Sequence, residues 1–364
     1  MSVNAQKKID PAPAAAPRLV SLDAFRGFTM FWIVGGKSLL MALRSFETPV
    51  AAGIAYQLNH SEWEGLRFYD VIWPAFMLMV GMSIPFAYAR RRLSQSERQI
   101  RLNALKRAAI LFLLGSLRTS ISSNRPELVE LSSALQPIAL AYLVASFLAG
   151  ASRKVQIGVA AGILGAYALL LHLVPPASYL QGDNLVRNVD LWVLGRTHAE
   201  GWGTVLSAIP TISTTLLGLL LGQMLMGGRA AREKLKIIAL TGAACVALGF
   251  ALSPAIPVIM KLWTTSYGLA SAGWACLEFL LFYAVIDVLG YRKWAFPFVV
   301  IGMNALAIYV GQSVVRVHSV VGIFSKPIAA HLGAFGPLFA ASAVLAVEWL
   351  VLYWMYRRKI FLRA

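Results

Sequence analysis

The chain has 364 residues, of which 58% are hydrophobic and only 13% are charged. Because soluble proteins carry about 25% charged residues, this composition excludes an ordinary soluble enzyme and favours a polytopic membrane protein. The net charge of +17 would favour a nucleic-acid partner in a soluble protein. In a membrane protein the same charge is typical of basic cytoplasmic loops that face anionic lipid. We therefore expect membrane lipid, and no nucleic acid, as partners.

Residues 1–17 are polar and rich in Ala and Pro, which predicts a disordered cytoplasmic tail without a cleavable signal peptide.

Residues 18–364 are predicted to form a single all-α transmembrane domain. About 20 apolar residues cross the hydrocarbon core as a helix. The chain offers about ten such segments: 20–41, 68–89, 107–119, 133–150, 155–174, 204–226, 236–253, 266–289, 294–315 and 334–356. Residues 254–265 fit a re-entrant piece as well as a plain loop.

Basic residues are concentrated in alternate loops. Most of the 33 Lys and Arg residues lie in the two terminal segments and after the second, fourth, sixth and eighth predicted spans. The positive-inside rule therefore predicts that both termini are cytoplasmic. On the opposite side, facing the periplasm or exterior, it places residues 42–67, 120–132, 175–203, 254–265 and 316–333.

A histidine and an acid stand where the second predicted span begins. His60 belongs to a polar segment, and Asp70 follows ten residues later at the start of the apolar run. An imidazole there can accept a proton or take an acyl group itself, and the carboxylate can orient it. The alternatives are an ordinary loop histidine and an acid that stabilises a helix N-terminus.

Basic residues on the predicted cytoplasmic side are candidates for binding a phosphorylated cofactor. Arg26 lies three residues after Asp23, so on a helix the two can form an ion pair. Its guanidinium can alternatively bind a phosphate, and both interpretations remain open. The stretch from 90 to 107 fits a solvated topogenic loop, and it also offers countercharges to an anionic cofactor. The candidate cofactor-binding residues are Arg26, Arg90, Arg91, Lys106 and Arg107.

Four polar residues fall inside predicted spans, where burial is costly and indicates a partner or a water-filled cavity. Lys37 lies near the outer end of the first span, and Glu278 and Glu348 lie near the middle of theirs. Asn304 is a candidate catalytic residue, because a buried amide can stabilise an oxyanion; a helix contact is its structural alternative.

The cysteines and glycines give weaker signals. Cys245 and Cys276 both lie in apolar runs, so neither a disulfide framework nor a metal site is predicted. Small-residue spacing over 158–165 and 218–222 predicts close helix packing and allows a homodimer face.

Several segments together resemble one family. The run HSEWEGLRFYDVIWP (60–74) is similar to the H-x-x-W-x-G and D-x-x-F-P motifs of the heparan-α-glucosaminide N-acetyltransferase family. LVSLDAFRG, VDLWVLGRTH, EGWGTVLSAIP, KLWTTSYGL and GMNALAIYVGQ resemble further motifs of the same family in the same order. The resemblance covers residues 19 to about 356.

The resemblance implies a transmembrane acyltransferase that takes an acetyl group from cytoplasmic acetyl-CoA to an amino sugar or glycan on the far side. It implies that His60 is the catalytic histidine, supported by Asp70. The corresponding candidates for substrate binding are Trp63, Glu64, Asp190 and His198. The chain departs from the family where animal members have a helper asparagine before the histidine, and where the family has an arginine at the position of Leu191.

Two other function classes remain open on the sequence. A proton-coupled transporter of a small solute would use Lys37, Glu278 and Glu348, although no internal repeat is visible. A structural membrane subunit is the third alternative. Binding of acyl-CoA discriminates the enzyme from both.

Overall fold

The computed structural model describes residues 19–126 and 134–362, so the predicted tail, 1–17, lies outside the described residues. Most of the described chain is helical. Its one sheet is a hairpin of two short antiparallel strands, β1 (Tyr179–Leu180) and β2 (Asp183–Asn184). The α-helices are α1 Val20–Leu43, α2 Pro49–Gln57, α3 Phe68–Arg91, α4 Glu97–Ser123, α5 Leu135–Phe147, α6 Arg153–Leu173, α7 Leu185–Leu194, α8 Thr211–Met226, α9 Ala231–Leu252, α10 Thr265–Phe282, α11 Phe296–Met303, α12 Ala305–Val314, α13 Val317–Ala330 and α14 Gly336–Arg357.

The protein is an all-α membrane protein, as predicted, but the predicted count of ten spans is not reached. Within the described residues, six helical segments are long and apolar enough to cross a membrane: Phe68–Arg91, Arg153–Leu173, Leu206–Met226, Ala231–Leu252, Thr265–Val288 and Gly333–Arg357. A seventh is reached if the bent pair Lys293–Met303 and Ala305–Val314 counts as one span; its halves meet at 58°.

The shortfall has physical causes. Charged side chains interrupt two of the predicted spans: Arg26 and Lys37 lie within α1, and Arg107 and Arg118 lie within α4. The predicted span 133–150 corresponds to α5, which has only 13 residues. The cytoplasmic position of both termini stays a prediction.

Helix α3 lies at the centre of the bundle, in contact with α1, α5, α8 and α10. Its approach to α8 is close enough to require glycine. A Cβ atom at Gly218 would overlap the carbonyl oxygen of Leu78, and one at Gly81 would overlap that of Thr215. The predicted role of Gly218 in close packing is therefore confirmed, whereas a Cβ at Gly158 would meet no atom within 4 Å.

The irregular segment 254–264 supports the loop that precedes α3. Val258, Ile259 and Trp263 are buried. The amide of Gly65 donates to the carbonyl of Val258 at 2.8 Å, next to a backbone bridge between Glu64 and Ile259. This packing holds the loop that carries the candidate histidine against the N-terminal end of α3.

Candidate active site

The side chains of His60 and Asp70 are in direct contact. Asp70 lies in the first turn of α3 and is completely buried, and its Oδ1 is 2.7 Å from Nδ1 of His60. Its Oδ2 accepts the backbone amides of Arg67 at 2.9 Å and Ser61 at 3.3 Å. Because the carboxylate is fixed by these amides, it accepts the Nδ1 proton of a neutral imidazole and leaves Nε2 as the unprotonated nitrogen.

Aromatic rings hold the imidazole in place. The ring of His60 lies 4.8 Å from that of Tyr69 and 5.3 Å from that of Trp202. The Tyr69 hydroxyl donates to the carbonyl of Trp32, and Arg67 donates to the carbonyl of His60 at 2.9 Å. The side chain of His60 keeps 36% of its surface exposed, so it remains accessible to a reactant.

A cavity of about 900 Å³ extends from His60 along one face of α3. It is lined by α3 residues from Tyr69 to Arg91, a rise of about 33 Å at 1.5 Å per residue. We call the part around His60, Tyr69 and Trp202 the imidazole end, and the part around Arg26, Arg90, Arg91 and Arg107 the basic end. The volume of the whole cavity is near the upper limit of about 1,000 Å³ for small-molecule sites.

Four of the five predicted cofactor-binding residues line the basic end. Arg26 forms the predicted ion pair with Asp23 at 3.3 Å, and its other terminal nitrogen donates to Ser83 at 2.8 Å; it also lines the cavity, so its contact with a phosphate stays a prediction. The guanidinium of Arg107 lies 4.7 Å from the centre of the Tyr142 ring. Lys106 is exposed and is not among the lining residues.

Arg118 is a cavity-lining residue that the sequence analysis missed. Its guanidinium lies 4.3 Å from the centre of the Tyr309 ring, and its Nε is buried without a hydrogen-bond partner among the described residues. The available signal was a single arginine at the end of the apolar run 108–117 in α4.

The predicted substrate-binding residues are divided between two places. Trp63 donates from Nε1 to the carbonyl of Tyr179 at 2.8 Å, and Glu64 is exposed; neither lines a described cavity. Asp190 and His198 line a second cavity of about 190 Å³, which shares Trp202 with the first.

Asp190 also has a structural role at this second cavity. Its two oxygens accept the backbone amides of Thr204 and Val205, both at 2.9 Å. Burial raises the pKa of Asp190 above its usual range, and these hydrogen bonds partly offset the rise. The carboxylate therefore fixes the start of the loop that leads from Trp202 to α8.

Asn304 lies at the break between α11 and α12. It is completely buried, its Nδ2 donates to the carbonyl of Ile360, and its Oδ1 accepts the amide of Leu362. It does not line the large cavity. These contacts favour the structural alternative over the predicted catalytic role.

The charged groups that a transporter would use lie away from the large cavity. Lys37, Glu278 and Glu348 are not among its lining residues. Glu348 accepts a hydrogen bond from Gln312 at 2.8 Å, which ties α14 to α12. The large cavity thus offers basic and aromatic groups to a ligand, and the one carboxylate among its described lining residues, Asp23, is paired with Arg26.

Comparison with known proteins gives one distant relative. The chain is similar to human heparan-alpha-glucosaminide N-acetyltransferase, with 24% identity over 419 aligned residues. The alignment covers 96% of this chain and 60% of the relative, so the chain spans less than two thirds of the relative's length. No protein-family profile matches the chain. The similarity supports a distant relationship to a membrane acyltransferase.

Proposed function

We propose that this protein is a membrane acyltransferase that moves an acetyl group from cytoplasmic acetyl-CoA to an amino sugar or glycan on the opposite side of the membrane. The observation that carries the proposal is one cavity with the His60–Asp70 pair at one end and a group of arginines at the other. The distant similarity to an N-acetyltransferase supports the same reaction class.

The cavity suits acetyl-CoA as an acyl donor. The phosphates of CoA carry several negative charges, and guanidinium groups match phosphate geometry. Arg26, Arg90, Arg91 and Arg107 are the residues we assign to these phosphates. Between the two ends, Ile72, Phe76 and other apolar side chains line the wall, as a neutral pantetheine arm requires.

His60 is the proposed proton acceptor. Its Nε2 takes a proton from the acceptor amine or hydroxyl as that group adds to the thioester carbonyl carbon, and Asp70 stabilises the imidazolium that results. The sulfur leaves with the bonding electron pair and is then protonated to the thiol. The same nitrogen can instead take the acetyl group first and pass it on. Both routes need the tautomer that Asp70 fixes.

The test is transfer of radiolabelled acetyl groups by the purified full chain in detergent, with glucosamine as the trial acceptor. Wild type and His60→Ala are compared at equal amounts of folded protein. We expect labelled N-acetylglucosamine from wild type and loss of at least 100-fold with His60→Ala, because general-base catalysis contributes roughly 10²–10⁴-fold. Folded wild-type protein that neither binds CoA nor transfers label would contradict the proposal.

A further inference from the structure

Two arginines on α4 line the large cavity, and each stacks on a tyrosine ring. Arg107 stacks on Tyr142 and Arg118 stacks on Tyr309, and the Nε of each is buried without a hydrogen-bond partner among the described residues. They are eleven residues apart, which is three helical turns, so they lie on the same face of α4 and about 16 Å apart along it.

Within the described residues, Arg118 has no countercharge and lies in an apolar part of the bundle. No carboxylate of the described residues lies within ion-pair distance of it, whereas the surrounding cavity wall includes Met30, Leu111 and Leu306. A cation in such surroundings is costly unless a partner is present, and intramembrane charges are therefore typical of functional sites. Its Nε–H, which has no hydrogen-bond partner among the described residues, is available to a ligand oxygen.

Arg118 lines the same cavity as His60, further along α4 from the basic end than Arg107. Ser116, two residues before Arg118 on α4, accepts a hydrogen bond from Gln136 at 3.0 Å, which aligns this part of α4 with the start of α5. Ala134, just before α5, packs in the same apolar cluster as Trp202, whose ring contacts the imidazole. Arg107 lies instead at the basic end.

The spacing of the two arginines matches the donor. About 13 bonds separate the nearer phosphorus of CoA from its sulfur, and an extended chain advances about 1.2 Å per bond, which gives about 16 Å. With the diphosphate beside Arg107, an extended pantetheine arm therefore brings the thioester to the level of Arg118.

We propose that Arg118 is a second catalytic residue, which donates a hydrogen bond to the acyl carbonyl oxygen of the donor. This inference rests on the proposed function. As the nucleophile bonds to the carbonyl carbon, the π pair of the C=O bond moves to oxygen, and the guanidinium stabilises the resulting oxyanion. When the C–S bond breaks, the pair returns and the oxyanion becomes the carbonyl of the product. Arg118 gains and loses no proton.

The test compares Arg118→Met with Arg107→Met in acetyl transfer and in binding of two unreactive donor analogues. One analogue is a methyl ketone that replaces sulfur with CH₂ and keeps the carbonyl; the other is S-ethyl-CoA, which lacks it. For Arg118→Met we expect kcat to fall about 100-fold or more, with S-ethyl-CoA bound as by wild type. We also expect this variant to lose the wild-type preference for the ketone.

Arg107→Met is the matched control, because it removes a tyrosine-stacked guanidinium from the same helix. We expect it to weaken binding of both analogues equally, so that it keeps the wild-type preference for the ketone that Arg118→Met loses. Gel filtration and thermal unfolding in detergent establish that each variant is folded, and Arg118→Ala, which also removes the cationic donor, replaces Arg118→Met if the latter is not.

Three results would overturn the inference. Arg118→Met could turn over within threefold of wild type, or lose affinity for both analogues equally. Alternatively, wild type could prefer succinyl-CoA to acetyl-CoA in an Arg118-dependent manner, which would assign the arginine to a carboxylate on the acyl group. In each case the proposed acyltransfer stands, whereas absence of CoA binding by folded wild type removes both proposals.

Discussion

At the scale of single residues, the proposed reaction depends on how Asp70 holds His60. The carboxylate uses one oxygen for the imidazole and the other for two backbone amides, so it cannot rotate away. This arrangement selects the tautomer with Nε2 available to a reactant. The rings of Tyr69 and Trp202 then determine the direction in which that nitrogen points.

Asp70→Asn keeps the shape of the side chain but removes its charge and half of its acceptor capacity. We expect kcat to fall at least 100-fold, because the amide selects the wrong tautomer of His60 and cannot stabilise the imidazolium. The measurement is the initial rate of acetyl transfer at saturating donor. Glu62→Gln, which changes an exposed carboxylate of the same loop, is the matched control and should keep the wild-type rate. Equal rates for Asp70→Asn and wild type would exclude the tautomer argument.

Asn304→Ala discriminates between a structural and a catalytic amide. The substitution leaves the carbonyl of Ile360 and the amide of Leu362 without their partner, and an unpaired buried polar group costs about 1–3 kcal/mol. We expect a lower unfolding temperature in detergent, with kcat of the folded fraction within a few-fold of wild type. An unchanged unfolding temperature combined with a 100-fold loss of kcat would restore the catalytic role.

At the scale of helices, the site depends on the contact between α3 and α8. Helix α3 carries Asp70 at one end and Arg90 and Arg91 at the other, so its position sets both ends of the cavity. Gly218 allows the two backbones to approach, since no side chain fits between it and the carbonyl of Leu78.

Gly218→Leu should therefore force α8 away from α3. Overpacking of a close contact typically costs about 1–3 kcal/mol, so we expect a lower unfolding temperature together with reduced transfer. Gly158→Ala on α6 is the matched control, because its Cβ meets no atom within 4 Å and alanine favours helix by about 0.5–1 kcal/mol. If both variants unfold at the wild-type temperature, the close contact does not limit stability.

At the scale of the whole molecule, part of the architecture could be predicted from the sequence. Apolar runs located the helices, and the interval between His60 and Asp70 was short enough for the pairing to be foreseen. The span count failed because apolar length was weighed more heavily than the charges inside α1 and α4. Trp202 and Arg118 were missed because each comes to line the cavity only when segments distant in sequence pack around it.

The central claim concerns the whole molecule: we propose that one cavity joins a donor on one side of the membrane to an acceptor on the other. The basic and imidazole ends lie at opposite ends of α3, whose 24 residues rise about 36 Å, enough to cross a hydrocarbon core of about 30 Å. The donor and the acceptor therefore need not be on the same side. An enzyme with both substrates at one surface would need no such cavity.

The most direct measurement uses proteoliposomes with glucosamine trapped inside and radiolabelled acetyl-CoA added outside. In vesicles whose basic end faces outward, we expect label on the trapped sugar, in wild type and in Glu62→Gln but not in His60→Ala. Unlabelled glucosamine outside, removed before counting, should not reduce the internal signal. Label found only on external sugar, with intact vesicles and active protein, would contradict transfer through the cavity.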